Sequence, residues 1–115
     1  MNIQQQTNLF NANKLAAMKF PQLRVSQLAF LQAIALKPGS TQTELCQELG
    51  VTMSAISRNV DVFGSGKAKS ERHKSFGLIE AKRDLDDERL ILIYLTEKGR
   101  IFLELIESTV YGHHE

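Results

Sequence analysis

At 115 residues, with 43% hydrophobic and 23% charged residues, the chain has the size and composition of one ordinary globular domain. That is enough to bury a single core and too little for a catalytic domain joined to a regulatory one. No apolar run approaches the roughly 18 residues of a membrane span, so an integral membrane protein is not expected. The opening MNIQQQTNLFNANK lacks the basic start and apolar stretch of a secretory signal, and one cysteine speaks against a disulfide-stapled mini-protein. The expectation is a cytoplasmic protein. Fourteen Lys+Arg against thirteen Asp+Glu leave a net charge of +1, so any affinity for a polyanion must rest on how charge is distributed.

Residues 1–20 are expected to form an N-terminal arm. The Asn- and Gln-rich first part, apolar only at Ile3, Leu9 and Phe10, predicts a frayed start, and a short helix follows around Leu9 to Met18. Phe20-Pro21 breaks it, because proline lacks a donor and restricts the residue before it. The segment VSQLAFLQAIALKPG predicts a helix capped by Ser26, with Leu28, Leu31, Ile34 and Ala35 at helical spacing and Pro38-Gly39 as its stop.

Two short helices follow over residues 41–63. Thr41 and Glu44 form a T-x-x-E capping box, Leu45, Cys46 and Leu49 make the apolar face, and Gly50 is the C-terminal cap. After Val51, Thr52 caps the second helix, TMSAISRNVDVFG. It buries Ile56, Val60 and Phe63 and turns Ser54, Ser57, Arg58 and Asp61 outward. A short step from one helix to a second with a polar, cap-rich leading face is a helix-turn-helix signature.

Residues 64–76 have no apolar period and read as an inserted basic loop. Residues 77–95 contain two strand-like runs, GLIEAKRD and ERLILIYLT, around an acidic turn, and so predict a two-stranded wing. Thr96 then caps a last helix over 96–111, with Ile101, Phe102, Leu105, Ile106 and Val110 as a wide apolar stripe. The fold class expected is α+β, mainly α: a winged helix-turn-helix with terminal helices, the whole of 1–115 forming one domain.

VTMSAISRNVDVF, Gly77-Leu78-Ile79, Asp87-Glu88-Arg89 and Leu95-Thr96-Glu97-Lys98-Gly99-Arg100 follow one another in register. In this the chain resembles the MarR family of bacterial transcription regulators, whose wing reads approximately G-L-I, D-x-R, L-T-x-x-G-R. The resemblance covers about residues 23–106. It departs in having about ten extra residues between Phe63 and Gly77, and in being short at both ends, where family members carry longer helices that build a dimer. It implies a DNA-binding regulator, with a wing arginine, here Arg89, reaching toward the minor groove and Asp87 orienting it or holding the turn.

A recognition helix sets its N-terminal residues against base edges, which calls for short polar side chains and a long basic one. Thr52, Met53, Ser54, Ser57 and Arg58 supply that set, and Thr41, at the head of the preceding helix, is placed with them. Lys82 and Arg83 suit phosphates better than bases. Residues 64–83 hold six basic side chains (Lys67, Lys69, Arg72, Lys74, Lys82, Arg83) and two acidic ones, a local +4. Such a loop suits phosphates, and the alternative is a docking surface for an acidic protein partner. Leu9 and Phe10, with Leu15 and Met18, are expected to meet Ile101, Phe102, Leu105, Ile106 and Val110, within one chain or across a two-fold axis. A homodimer would set two recognition helices about 34 Å apart on half-sites.

Cys46 is expected to be a packed, inert thiol. His73, His113 and His114 lack partners at ligand spacing apart from Glu115, so no metal is expected. No catalytic motif or nucleotide-binding fingerprint occurs, so neither an enzyme nor a cofactor is expected. The reading is a homodimeric, sequence-specific regulator of double-stranded DNA, acting as a repressor. The alternative is a winged-helix protein-interaction module, such as a phage- or plasmid-encoded adaptor that engages host machinery.

Overall fold

The computed structural model describes residues 2–64 and 76–112. Lys67, Lys69, Arg72, Lys74 and the three histidines, on which the sequence raised expectations, lie outside the described residues. The elements run α1 (Ile3–Lys19), α2 (Val25–Leu36), α3 (Gln42–Leu49), α4 (Met53–Phe63), β1 (Ile79–Arg83), β2 (Ile91–Leu95) and α5 (Glu97–Val110). This is a mainly helical winged helix in which β1 and β2 pair antiparallel, Ile79 opposite Leu95 and Arg83 opposite Ile91.

Helix α1 starts at Ile3, six residues before the expected Leu9. Asn2 caps it by accepting from the Gln5 amide at 3.1 Å, and Gln4 donates to Asn8 at 2.9 Å, so the polar residues support the helix locally. What holds it to the domain is a seam of small residues. Ala12 and Ala16 are buried, and α1 lies along α5.

Helix α2 also begins earlier than expected. Its cap position is Arg24, and Ser26 sits exposed in the first turn. The Gln27 carboxamide oxygen takes the Arg24 amide at 2.8 Å and so satisfies a free amide from inside the helix. Phe30, Leu31, Ala33 and Ile34 are buried, whereas Ala35 is exposed; the core-facing stripe is shifted toward Phe30. The reciprocal Thr41–Glu44 cap, the left-handed Gly50 (φ +65°) and the Thr52 cap on the Ala55 amide are as expected from sequence.

Two backbone bridges tie the helix-turn-helix to the wing. Before α3, the Ser40 carbonyl accepts from the Ile93 amide at 2.9 Å, and Gly39 donates to the Ile93 carbonyl at 2.9 Å. After α4, Gly64 pairs in parallel with Ile79. The helix pair is therefore pinned at its start and its end to opposite edges of the same sheet.

The G-L-I and L-T-x-x-G residues form one lock at the wing's root. The Thr96 hydroxyl donates to the Gly77 carbonyl at 2.6 Å and accepts from the Gly99 amide at 3.1 Å, while the Thr96 amide donates to the Leu78 carbonyl at 3.0 Å. Gly99 faces that carbonyl so closely that a Cβ there would collide with the Leu78 oxygen.

Five phenylalanines form a run of rings through the core. Phe102 meets Phe20 (4.8 Å), Phe20 meets Phe76 (5.2 Å), Phe76 meets Phe63 (5.5 Å), and Phe63 stacks on Phe30 (6.0 Å). Phe76 thus belongs to the packed body, although the sequence placed it at the end of the inserted loop. Its amide donates to the Val62 carbonyl at 3.0 Å, and Leu78 donates to Phe63 at 2.8 Å. The chain beyond residues 65–75 therefore returns against the end of α4.

Candidate nucleic-acid interface

Helix α4 is strongly amphipathic. Ile56 and Phe63 are fully buried and Val60 is half-buried, which leaves Thr52, Met53, Ser54, Ser57, Arg58 and Asp61 on the solvent side. Of the five sequence-predicted residues, the structure brings Met53, Ser54, Ser57 and Arg58 to one open face with Asp61, while Thr52 is exposed at the N-cap. Two of them also have local duties. Thr52 accepts from the Ala55 amide at 3.1 Å, and Met53 Sδ accepts from the Cys46 thiol at 3.6 Å. Cys46 is half-buried in this contact.

Thr41 stands apart from that face in its chemistry. Its hydroxyl both accepts from the Glu44 amide and donates to the Glu44 carboxylate, each at 3.2 Å, and its own amide donates to the same carboxylate at 3.1 Å. The Thr41 amide, followed by the Lys37 ammonium 3.1 Å away, holds the Glu44 carboxyl below its ordinary value. The hydroxyl is committed to the cap.

In the wing, Asp87 and Arg89 are joined directly. Arg89 Nε and Nη2 donate to the two carboxylate oxygens at 3.0 and 3.2 Å, and the Arg89 amide donates to Oδ1 at 3.1 Å. The guanidinium, and then the backbone amide, lower the Asp87 pKa; the carboxylate raises that of Arg89. Asp87 therefore holds the turn and orients the arginine, whose side chain is 90% exposed. Around them the hairpin is well bonded: Asp84 Oδ1 accepts from the Asp86 amide at 2.9 Å, and Arg83 Nη1 donates to the Glu88 carbonyl at 2.8 Å. Lys82 lies 3.2 Å from Glu80 and over the Tyr94 ring. At the tip, Leu85 is 97% exposed among Asp84, Asp86 and Glu88.

The expected association stripe is divided. Phe102 and Ile106 are buried within the monomer, because the small Ala12 and Ala16 let α5 approach α1 closely; they present no surface to a second chain. Val110 is half-buried against the same core. Leu9, Phe10, Ile101 and Leu105 remain exposed, as do Ile3 and Met18 near the two ends of α1, each more than 70% exposed.

Sequence reasoning missed a cleft of about 230 Å³ beside α4. Arg24, Ser26 and Gln27 of the α2 start form one wall, Ala55, Arg58 and Asn59 of α4 the other, and Leu49 and Val51 lie between. Placing the α2 cap at Ser26 left Arg24 in a linker, with no reason to associate it with Arg58.

No protein-family model matches the chain, and no curated protein sequence does. Solved structures do share its fold. A transcriptional regulator from Thermotoga maritima superimposes with a TM-score of 0.65 at 21% identity, covering 84% of this chain and 61% of that one. Wild-type MarR from E. coli, in its apo form, gives 0.65 at 23%, with 93% and 69% covered. FabT from Streptococcus pneumoniae, in complex with DNA, gives 0.62 at 20%, with 98% and 77% covered. The chain spans about three fifths of the length of the first of these. The fold is a MarR-type winged helix, five helices and a two-stranded sheet, as the sequence motifs implied.

Proposed function

We propose that the chain is a regulator of transcription that binds double-stranded DNA and reads its sequence with α4. One observation carries this reading: the Thr52-to-Arg58 side of α4 is free of any role in the core, and the helix is tied through Ser40 and Gly64 to a wing that holds an ordered, exposed Arg89. A helix fits the major groove, where a bidentate arginine contact is worth about 1–3 kcal/mol of discrimination between bases. Arg89 would enter the adjacent minor groove, whose narrow stretches concentrate negative potential. Lys82 and Arg83 would border the backbone. That solved relatives in fold include a transcriptional regulator and a protein crystallised with DNA supports the same reading.

The protein is further proposed to act as a cytoplasmic homodimeric repressor that occupies promoter DNA. The exposed Leu9, Phe10, Ile101 and Leu105 on neighbouring helices support a two-fold contact. Sedimentation should give twice the chain mass; a strict monomer would remove the paired half-site arrangement. The reading requires no catalytic step. The decisive experiment is DNA affinity as a function of salt for the wild type and for Arg58→Ala combined with Arg89→Ala. The wild type should weaken steeply as salt rises, and the double variant should lose sequence preference. Absent or salt-independent binding by the wild type would refute the proposal.

A further inference from the structure

The cleft beside α4 has a charge pattern unlike that of the chain as a whole. The whole sequence balances fourteen basic against thirteen acidic side chains, yet among the described residues those lining this cleft include two arginines and no acid. Arg24 and Arg58 approach it from different helices, and neither side chain has an ion-pair partner among the described residues. The remaining polar lining, Ser26, Gln27 and Asn59, is neutral, with Ala29, Leu49, Val51 and Ala55 as an apolar floor. Unpaired guanidinium groups facing one concavity favour an anion, and a planar donor fork matches phosphate oxygens well.

Geometry selects which anion. Arg58 belongs both to this cleft and to the open face formed with Met53, Ser54, Ser57 and Asp61. The cleft is therefore continuous with the face assigned to base reading and lies along its flank. A helix seated in the major groove has a sugar-phosphate strand along each flank. We propose that Arg24 grips a backbone phosphate of the DNA strand bordering α4, fixing the register in which Arg58 meets the bases. Arg24 is thus a positioning residue, and its role rests on the DNA-reading proposal above.

Phosphate contacts and base contacts leave different signatures. One lost phosphate contact makes the log–log salt dependence of binding shallower by about 0.9 and weakens all sequences alike. Raising salt fourfold would then narrow the gap between wild type and Arg24→Gln by about 3.5-fold. The probes are a labelled duplex of mixed sequence and the best binder selected from a random-core duplex pool, titrated by anisotropy at several salt concentrations. Arg24→Gln should lose the same factor on both probes and show the shallower slope; Arg24→Lys, which keeps the charge, should retain the wild-type slope. Arg58→Ala should instead reduce the ratio between the two probes. Far-UV circular dichroism melts show whether each variant is folded, and Arg24→Glu supplies a second test at the same backbone position, with a larger loss on both probes. If the wild type binds with a steep slope and neither Arg24→Gln nor Arg24→Glu changes it, the Arg24 contact is refuted while the DNA-reading proposal stands. If the wild type shows no salt-dependent binding, both fall. A loss confined to the selected duplex also overturns the proposal, because it would make Arg24 a base-reading residue.

Discussion

Replacing Gly99 with alanine opposes two local effects whose signs can be separated. Gly99 lies inside α5, where alanine is intrinsically better by about 1 kcal/mol. Helix propensity alone therefore predicts a more stable protein. The packing predicts the reverse. A Cβ would strike the Leu78 carbonyl oxygen and would lie 3.0 Å from its carbon and 3.3 Å from the Leu78 Cα. All three are backbone atoms of the wing's root, so no side chain can swing aside, and the head of α5 must retreat. That retreat stretches the Thr96-to-Leu78 amide bond and the Thr96-to-Gly77 hydroxyl bond. Losing both costs about 1–3 kcal/mol, and overpacking adds about 1–3 kcal/mol. Set against the propensity gain, the net is a destabilisation of about 3 kcal/mol, or about 10 °C in melting temperature for a domain of this size. Gly50→Ala is the control, since no atom lies within 4 Å of its Cβ position and only the left-handed backbone (φ +65°) is penalised. Its cost should be about 1 kcal/mol. Thermal melts followed by circular dichroism decide the order. A Gly99→Ala protein that melts at or above the wild type would refute the claim that close approach, not helix formation, fixes glycine here.

The same bonding makes two further outcomes measurable. Asp87 has its folded pKa depressed by Arg89, so the turn it holds should persist above the unfolded value of about 3.9 and loosen only as pH falls through the lower folded value. A carboxyl NMR titration should place Asp87 below a reference aspartate in the wild type and return it toward the ordinary value in Arg89→Ala; an unchanged midpoint would contradict the ion pair. Thr41→Ala should cost about 1 kcal/mol in urea unfolding through loss of the α3 cap, and should raise the Glu44 pKa, since it removes the hydroxyl that donates to that carboxylate while leaving the backbone amide in place. If Thr41→Ala leaves stability intact and lowers only DNA affinity, the hydroxyl contacts DNA and is not committed to the cap.

Features of the fold whose causes are local in the chain were legible in the sequence. The Thr41, Thr52 and Thr96 caps and Gly50 were readable because each cap satisfies amides or carbonyls within a few residues of itself. The exposed face of α4 was readable from helical period for the same reason. Where local preference competed with a neighbour, the reading failed. Ser26 is the better cap by propensity, yet Gln27 reaches back to the Arg24 amide and lets α2 start earlier. α1 begins at Ile3 in a segment with little apolar period, and it is anchored by alanines whose value depends on how closely α5 approaches. The wing motif could be recognised as a pattern, but its cause is tertiary: Gly99 must be small because the Leu78 carbonyl, distant in sequence, lies against it. The Arg24–Arg58 cleft is non-local in the same sense and leaves no periodic signal.

Under the proposed function, the distribution of charge decides how this fold can approach DNA. The wing tip crowds Asp84, Asp86, Asp87 and Glu88 onto one turn, and its two arginines are partly engaged there, Arg89 by the Asp87 carboxylate and Arg83 by the Glu88 carbonyl. Charges within about 10 Å of one another interact despite screening at ordinary salt, so these acids oppose the approach of a phosphate backbone to the wing. The cleft beside α4 offers Arg58 and Arg24 with no acid among its described lining residues, and the open face of α4 carries the single acid Asp61. Under the proposed function, attraction along the DNA is therefore concentrated on the α4 side, while the wing contributes only when Arg89 exchanges part of its pairing with Asp87 for the minor groove. Such an exchange penalises wide grooves more than narrow ones, because only a narrow groove offers the enhanced potential to replace a carboxylate. Under that proposal, the acidic wing would trade general affinity for a preference among DNA shapes.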